Sequence, residues 1–70
     1  MIIVKSIQAY RDDQMIVGLF SDTKTEVGTT PVTDIQDFPQ GYTIAPGSSV
    51  TTADGHFAWR QSDGEWNWRA

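Results

Sequence analysis

The fold is decided by residues 48–68, which read SSVTTADGHFAWRQSDGEWNW. This stretch contains two Asp-Gly dipeptides, Asp54-Gly55 and Asp63-Gly64, each flanked by runs rich in aromatic and β-branched residues. Asp-Gly favours a tight hairpin because both residues tolerate a positive φ, and primed turns match the twist of paired strands. The stretch therefore predicts three short strands joined by two turns.

Upstream, the N-terminal segment predicts a second hairpin. Residues 2–10 form an extended run that is apolar on both faces at its beginning, which is typical of a strand covered on two sides. A polar turn at residues 11–14 leads into a nearly continuous apolar strand at residues 15–20. Gly18 lies inside that second strand, where a glycine indicates a bulge or a close backbone approach.

The middle of the chain gives weaker signals. Residues 23–27 are compatible with a weakly paired edge strand or an exposed loop, and residues 33–41 with one helical turn capped by Thr33 or Asp34. Residues 42–45 predict a short strand. We therefore expect residues 1–70 to form a single all-β domain. Its predicted architecture is a small, mostly antiparallel sandwich or barrel of five to seven short strands built from hairpins.

The small size of the chain points to association. Seventy residues without a cysteine form a marginal core, because a chain this short buries only about 60% of its unfolded surface. Thiolate metal sites are excluded by the cysteine count, and imidazole clusters by the presence of a single histidine, His56. We expect no metal and no cofactor, and we expect self-association or docking onto a larger protein to supplement the core.

Charge and hydropathy limit the partners. The net charge is −4 and the five basic residues are scattered, whereas a phosphate backbone or an anionic membrane requires a basic surface. The start of the chain lacks the long apolar segment of a signal peptide, and no apolar run approaches the ~18 residues of a membrane span. These features predict a soluble protein made in the cytoplasm, with neither nucleic acid nor membrane as a direct partner.

Two patterns resemble catalytic motifs. Residues 10–13 read YRDD, which matches the YxDD pattern of reverse transcriptases, but those enzymes need a palm domain larger than this chain. His56 lies two residues after Asp54 and could act as a general base, yet no serine nucleophile lies in a recognisable elbow. A solvated turn and a surface histidine explain both patterns, so we expect no enzymatic activity.

The large aromatic residues are the main candidates for a functional surface. A chain of this size needs its largest side chains for burial, which favours a core or a subunit interface over a ligand platform. Trp66 and Trp68 share one strand face, and Asn67 lies on the other. The residues predicted for core or interface are Phe57, Trp59, Trp66 and Trp68. Arg60 and Arg69 follow two of these tryptophans and are the predicted ligand contacts if the surface binds a small molecule.

The C-terminal third resembles the ends of small virion proteins of tailed bacteriophages. Those proteins often carry a Gly-Ser pair, a strand, an Asp-Gly turn, a strand ending in an aromatic residue and a closing Gly-x-Trp. The matching residues are Gly47, Ser48, Ala53, Asp54, Gly55, Phe57, Gly64 and Trp66. The resemblance covers about a third of the chain. It implies a β-rich homo-oligomer bound to a capsid or connector protein, as a decoration or head-fibre protein of the virion made in the bacterial host cytoplasm.

The predicted function is therefore that of a structural subunit of a symmetric assembly. Two other classes stay open. One is a small phage-encoded inhibitor of host immunity that binds an enzyme or a signalling nucleotide, with arginine and tryptophan together at its subunit interfaces. The other is a carbohydrate-binding module that uses the tryptophans as a platform. Large exposed tryptophans favour either binding class, and buried ones favour the structural class.

Overall fold

The computed structural model describes residues 1–69 and shows one sheet with a short helical layer on one face. Within this range the strands are β1 (Ile2–Arg11), β2 (Gln14–Ser21), β3 (Thr43–Ile44), β4 (Ser49–Thr52), β5 (Phe57–Arg60) and β6 (Trp66–Trp68). The helix α1 (Lys24–Thr29) and a 3₁₀ turn (Val32–Asp34) lie between β2 and β3. The strand order is β1-β2-β4-β5-β6, and β3 pairs with the beginning of β2.

Both predicted hairpin units are confirmed. β1 and β2 pair antiparallel, and β4, β5 and β6 form a three-stranded antiparallel unit. Gly55 and Gly64 adopt positive φ in the turns between its strands, but Asp54 and Asp63 do not, so these are not the primed turns that the sequence predicts. The irregularity indicated by Gly18 lies on the opposite strand, where β1 shifts register between Val4 and Ser6. A Cβ at Gly18 would lie 2.7 Å from the Ser6 hydroxyl, so a side chain there would require that hydroxyl to move.

The predicted sandwich or barrel is wrong in two respects. The sheet is mixed, because β2 pairs parallel with both β3 and β4. The sheet is also single and open. The segment between β2 and β3 contributes α1 and the 3₁₀ turn rather than strands, so no second sheet forms. A parallel pairing needs a crossover, and here the short helix, the 3₁₀ turn and β3 return the chain to the same end of the sheet.

The expectation of an edge strand or loop at residues 23–27 is corrected by α1. Thr23 is the N-cap, and its hydroxyl accepts a hydrogen bond from the Glu26 N–H at 3.2 Å. Thr-x-x-Glu is a helix-start signature that was present in the sequence. The predicted helical turn exists as the 3₁₀ turn, but it begins directly after Pro31. Thr33 and Asp34 therefore lie inside the turn, and neither of them caps it.

The core lies between the sheet and the helical layer. Its buried apolar residues come from β1, β2, α1, β3, β4, β5 and the segment after the 3₁₀ turn; they are Ile2, Val17, Leu19, Val27, Ile35, Ile44, Val50 and Ala58. The opposite side of the sheet, which bears Phe20, Phe57 and Trp59, is called the open face below. No helix among residues 1–69 has the length and apolar character needed to cross a bilayer.

The buried residue Ser48 lies beside β2 at the point where the partner of that strand changes. β2 pairs with β3 through Gln14 and Met15, and with β4 from Gly18 onward, so one edge of β2 lacks a strand partner between these points. The fully buried Ser48 fills this gap, and its hydroxyl accepts a hydrogen bond from the Val17 N–H at 2.9 Å. The switch between partner strands therefore leaves no orphaned donor at Val17.

Candidate functional site

The β5–β6 hairpin distributes its aromatic residues over both faces of the sheet. Ala58 pairs with Trp68 and Trp59 pairs with Asn67. Because side chains alternate along a strand, Trp66 and Trp68 lie on the core side, and Asn67 lies on the open face with Trp59. This arrangement confirms the predicted shared face of the two C-terminal tryptophans.

On the core side, both tryptophans are half-buried and pack against the edge of the core. The guanidinium carbon of Arg60 lies 5.2 Å from the centre of the Trp66 ring. Trp68 meets the His56 ring edge-on with 6.2 Å between centroids, and the Lys24 ammonium lies 5.1 Å from its ring centre. Each of these tryptophans therefore contacts a basic side chain at the rim of the core.

The open face presents a second aromatic group flanked by cations. Phe57 and Trp59 meet edge-on with 6.1 Å between ring centroids, and the Arg69 guanidinium lies 4.8 Å from the Trp59 ring centre. On the neighbouring side of this face, the Lys5 ammonium lies 5.9 Å from the Phe20 ring centre. Phe57 is 39% exposed, so in the single chain it contributes to the surface and not to the core.

The cross-strand geometry selects the ring that each arginine contacts. Arg60 follows Trp59 in sequence but contacts Trp66, its partner on the next strand. Arg69 follows Trp68 but contacts Trp59 on the open face. The two predicted ligand contacts therefore belong to separate sites on opposite sides of the sheet.

The outer edge of β1 is a third feature, which sequence reasoning did not single out. Gln36 covers the beginning of this edge, since its N–H donates to the Ile2 carbonyl at 3.0 Å and its carbonyl accepts from Val4 at 3.3 Å. Beyond it, Ser6, Ile7, Gln8, Ala9 and Arg11 pair with β2 on one side, and register shifts fall at Lys5 and Tyr10. No other strand among residues 1–69 pairs with residues 5–11. All seven are exposed, including Ile7 at 46% and Tyr10 at 45%. This segment is called the free β1 edge.

A cleft of about 340 Å³ opens between the helical layer and the β5–β6 turn. Seven apolar residues of the core and its edge line the cleft: Ile2, Leu19, Val27, Val32, Ile35, Ile44 and Trp66. Arg60 also lines the cleft, and its Nε is buried without a hydrogen-bond partner among residues 1–69. Glu65 and Gly64 line the same cleft from the β5–β6 turn.

The N-terminal amine is held by an acidic pair beside α1. It contacts the carboxylates of Glu26 and Asp22, the latter at 3.0 Å, and the Ser21 hydroxyl donates to Glu26 at 2.6 Å. These contacts lower the pKa of Glu26, first through the amine and then through Ser21. The pKa of the Met1 amine is raised, mainly by Glu26 and next by Asp22. This network joins the chain start to α1 and is structural in character.

The patterns that resembled catalytic motifs lie in turns. Asp54 accepts hydrogen bonds from the Thr52 hydroxyl and the Lys24 N–H, and these contacts, the Thr52 bond foremost, lower the pKa of its carboxyl group. His56 donates its backbone N–H to the Thr52 hydroxyl, which closes the same turn. The YRDD sequence occupies the exposed tip of the β1–β2 hairpin. Across residues 1–69, no group of three or more histidine, cysteine or acidic side chains is placed to hold a metal ion.

Comparisons with protein-family models, curated proteins and solved structures find no significant match to this chain. Function is therefore inferred from the geometry.

Proposed function

We propose that this protein is a non-enzymatic structural subunit of a symmetric protein assembly, and that the free β1 edge joins it to a second copy of itself. The observation that supports the proposal most directly is the exposure of residues 5–11 as an unpaired strand edge. Two of the large apolar side chains that the fold leaves exposed, Ile7 and Tyr10, lie on that same segment.

An unpaired strand edge is a template for another strand. Its outward N–H and C=O groups can bond to an added strand, and many assemblies form in this way. A second copy that adds its own β1 antiparallel generates a two-fold axis, the commonest symmetry of soluble homo-oligomers. The two sheets then become one continuous sheet, and residues 5–11 lose their free edge in both copies.

The charges along the hairpin favour this antiparallel arrangement. Lys5 lies at one end of the free β1 edge, and Asp12 and Asp13 lie just beyond the other end. An antiparallel partner brings the lysine of one copy toward the aspartates of the other, which steers the two chains into one orientation. Arg11, the remaining charge near the tip, is held over its own Tyr10 ring at 5.3 Å.

The same symmetry leaves a surface for a larger partner. A two-fold axis perpendicular to the sheet places both open faces on the same side, so the aromatic groups around Phe57 and Trp59 are presented twice. Aromatic residues with flanking arginine are enriched in protein interfaces. We propose that this doubled open face docks onto the larger protein of the assembly.

The tryptophans support assembly more than a ligand platform. Trp59, Trp66 and Trp68 are all half-buried, and none ranks among the large apolar side chains that the structure leaves exposed. A carbohydrate platform needs broad exposed ring faces. The two rings with the closest arginine contacts, Trp59 and Trp66, instead face those arginines.

For the particular assembly, we propose a tailed-bacteriophage virion, with a capsid or connector protein as the larger partner. The support is the resemblance of residues 47–68 to small phage virion proteins. The proposal requires that the protein copurify with intact particles through a density gradient. Its absence from washed particles that are produced in cells making the protein would refute the virion placement and leave the oligomer proposal untouched.

Light scattering across a concentration series from about 5 µM to about 500 µM tests the oligomer. The wild-type chain is expected to form a dimer or a higher closed oligomer, and Ile7→Lys to be monomeric, because it places a charge in the new interface. Phe57→Lys is the matched control, since Phe57 is similarly exposed but lies on the open face. Circular dichroism confirms that both variants remain folded.

Three results would overturn the proposal. A wild-type chain that stays monomeric throughout the series has no self-association to explain. An Ile7→Lys variant with the wild-type mass places the contact elsewhere. A Phe57→Lys variant that dissociates while Ile7→Lys does not assigns the self-contact to the open face.

A further inference from the structure

We propose that the open face binds an acidic peptide segment with apolar side chains, supplied by the larger protein of the assembly. This assignment rests on the proposed function, which docks the open face onto that protein, and it adds the chemistry of the docked segment. Three features of the molecule support it: the cations over the aromatic rings, the absence of acidic residues from the strands, and the small area of the face.

Two cations lie over aromatic rings of the open face. The Lys5 ammonium is 5.9 Å from the centre of the Phe20 ring, and the Arg69 guanidinium is 4.8 Å from the centre of the Trp59 ring. Both basic residues are exposed, and within residues 1–69 no ion pair neutralises either of them. The face therefore presents accessible positive charge beside its rings.

The strand pairing places a third cation on the same face. Gln14 alternates along β2 with Met15, which packs against the core, so Gln14 lies on the open face. Arg11 is the cross-strand partner of Gln14, and residues directly opposite each other share a face of the sheet. Arg11 is exposed and therefore adds to the positive charge that this side of the sheet presents.

The acidic residues lie off this face. None of the nine falls within β1 to β6. They occupy the turns, α1, the 3₁₀ turn and the connecting segments, and they are Asp12, Asp13, Asp22, Glu26, Asp34, Asp37, Asp54, Asp63 and Glu65. A chain with a net charge of −4 therefore has one face with three cations and no carboxylate from a strand.

This distribution of charge selects the sign of the partner. Surfaces that bind each other have complementary potentials, and the juxtaposition of like charges opposes association. An acidic segment would neutralise Lys5 and Arg69 together, whereas a basic one would be repelled by both. The two cations are already held over rings, so less side-chain entropy is lost when they meet a carboxylate.

The rings of the open face require apolar side chains in the same segment. Phe57 is 39% exposed, and Phe20 and Trp59 are half-buried, so each retains surface that a partner can cover. Buried aromatic residues and arginine dominate the binding energy of many interfaces. The apolar contacts would therefore supply affinity, and the charges would select and orient the segment.

The area of the face suits a segment and not a whole domain. Five strands lie side by side, and at a spacing of about 4.8 Å they span about 19 Å. β4 has four residues, which at about 3.4 Å each give a length of about 14 Å. The region shared by all five strands therefore covers about 270 Å², whereas a standard interface needs about 800 Å² on each partner. About five extended residues match this length and width.

A single-stranded nucleic acid, which is also an anion, fits the face less well. Bases stack on exposed ring faces, but Phe57 and Trp59 meet edge-on, and Arg69 lies over the Trp59 ring. Three cations are also few for a phosphate backbone, since binding proteins make about 6–10 phosphate contacts. The geometry therefore favours carboxylates on a peptide.

The probe is an acetylated and amidated hexapeptide that alternates glutamate with leucine. Its titration into the ¹⁵N-labelled chain is expected to give saturable shifts of the Trp59 indole N–H and the Arg69 Nε–H. A control hexapeptide with glutamine in place of glutamate is expected to bind about tenfold more weakly at about 20 mM NaCl, and this difference is expected to shrink at about 500 mM, because salt screens exposed charges.

Arg69→Gln is expected to lower the affinity for the glutamate peptide about fivefold, because it removes the cation over Trp59. Lys24→Gln is the matched control. Lys24 is also an exposed cation over a tryptophan, 5.1 Å from the centre of the Trp68 ring, but it lies on the core side of the sheet. Lys5→Gln is a second open-face variant and keeps the test decisive if Arg69→Gln fails to fold, which circular dichroism checks.

Four results would overturn the proposal. They are the absence of saturable shifts with the glutamate peptide, equal affinity for the glutamate and glutamine peptides, wild-type affinity in the folded Arg69→Gln and Lys5→Gln variants, and tighter binding of an oligothymidylate of eight nucleotides. The last result would assign the open face to nucleic acid.

The oligomer and the docked segment fail separately. Ile7→Lys is expected to be monomeric and to bind the glutamate peptide with wild-type affinity, because the open face is present in each copy. A wild-type chain that is monomeric yet prefers the glutamate peptide refutes the oligomer and supports the acidic segment. A wild-type oligomer with no preference between the two peptides refutes the acidic segment alone.

Discussion

Ser48→Ala tests how β2 is held at the point where its partner strand changes. The Ser48 side chain is fully buried. Its hydroxyl accepts a hydrogen bond from the Val17 N–H at 2.9 Å and donates one to the Met15 carbonyl at 3.5 Å. The substitution removes a single oxygen from a site with no access to water. The apolar contacts of the residue are kept, so the loss of the hydrogen bond dominates the effect.

The expected loss of stability in Ser48→Ala follows from the hydrogen-bond donor that the substitution leaves behind. Alanine leaves the buried Val17 N–H without an acceptor, and an orphaned buried group costs about 1–3 kcal/mol. A chain of 70 residues has a total stability of about 3.5–10 kcal/mol, so this loss is a large fraction of it. With a urea m-value of about 1 kcal/mol/M, the midpoint of unfolding is expected to fall by about 1–3 M.

The assay is equilibrium urea unfolding followed by tryptophan fluorescence. Ser49→Ala is the matched control, because Ser49 is adjacent on the chain and only half-buried, and its expected change lies within about 0.5 kcal/mol. Amide exchange at Val17 provides a local readout and is expected to accelerate in Ser48→Ala. A stability loss below about 0.5 kcal/mol with unchanged Val17 exchange would refute the assigned role of the hydroxyl.

Two further predictions concern the core and the chain start. Val50→Ala, at a fully buried position of the central strand β4, is expected to lower the free energy of unfolding by about 2–3 kcal/mol in the same urea assay. The exposed neighbour Thr51→Ala is its control, and equal losses in both variants would contradict the assigned core. Glu26 has a lowered pKa, so its contribution to stability is present above its usual value of 4.5 and is lost as pH falls through the folded-state pKa. The Met1 amine has a raised pKa, so its contribution is present below its usual value of 8.0 and is lost as pH rises through the folded-state pKa. Glu26→Gln is therefore expected to flatten both limbs of the melting temperature plotted from pH about 3 to about 10, and a profile parallel to wild type would show that the network is not coupled to folding.

Most elements of this fold are encoded by near neighbours in sequence. The hairpins follow from short runs rich in apolar, aromatic and β-branched residues and from turn residues such as Asp63-Gly64, whose effect spans only a few positions. Helix α1 is encoded equally locally, by Thr23 and Glu26, although its short length leaves little helical periodicity to detect. The shared face of Trp66 and Trp68 follows from strand alternation and needs no tertiary information.

The candidate sites were only partly predictable, because they bring together residues that are far apart in the chain. The sequence identifies Arg60 and Arg69 as basic residues beside tryptophans, but the strand register determines which ring each one contacts. The cleft combines residues from β1, α1 and the β5–β6 turn, and no local pattern marks it. The free β1 edge likewise depends on which strand ends up outermost in the sheet.

The sequence by itself determined that this chain is a small strand-rich domain in which two of the hairpins turn at Asp-Gly, because those preferences arise from backbone sterics within a few residues. The tertiary structure alone decided that Gly18 pairs with Ser49 in a parallel ladder, that one sheet forms instead of two, and that one face stays open. These features depend on packing a helical layer against one side of the sheet. The energy of such packing comes from contacts between residues far apart in the chain, which local preferences do not specify.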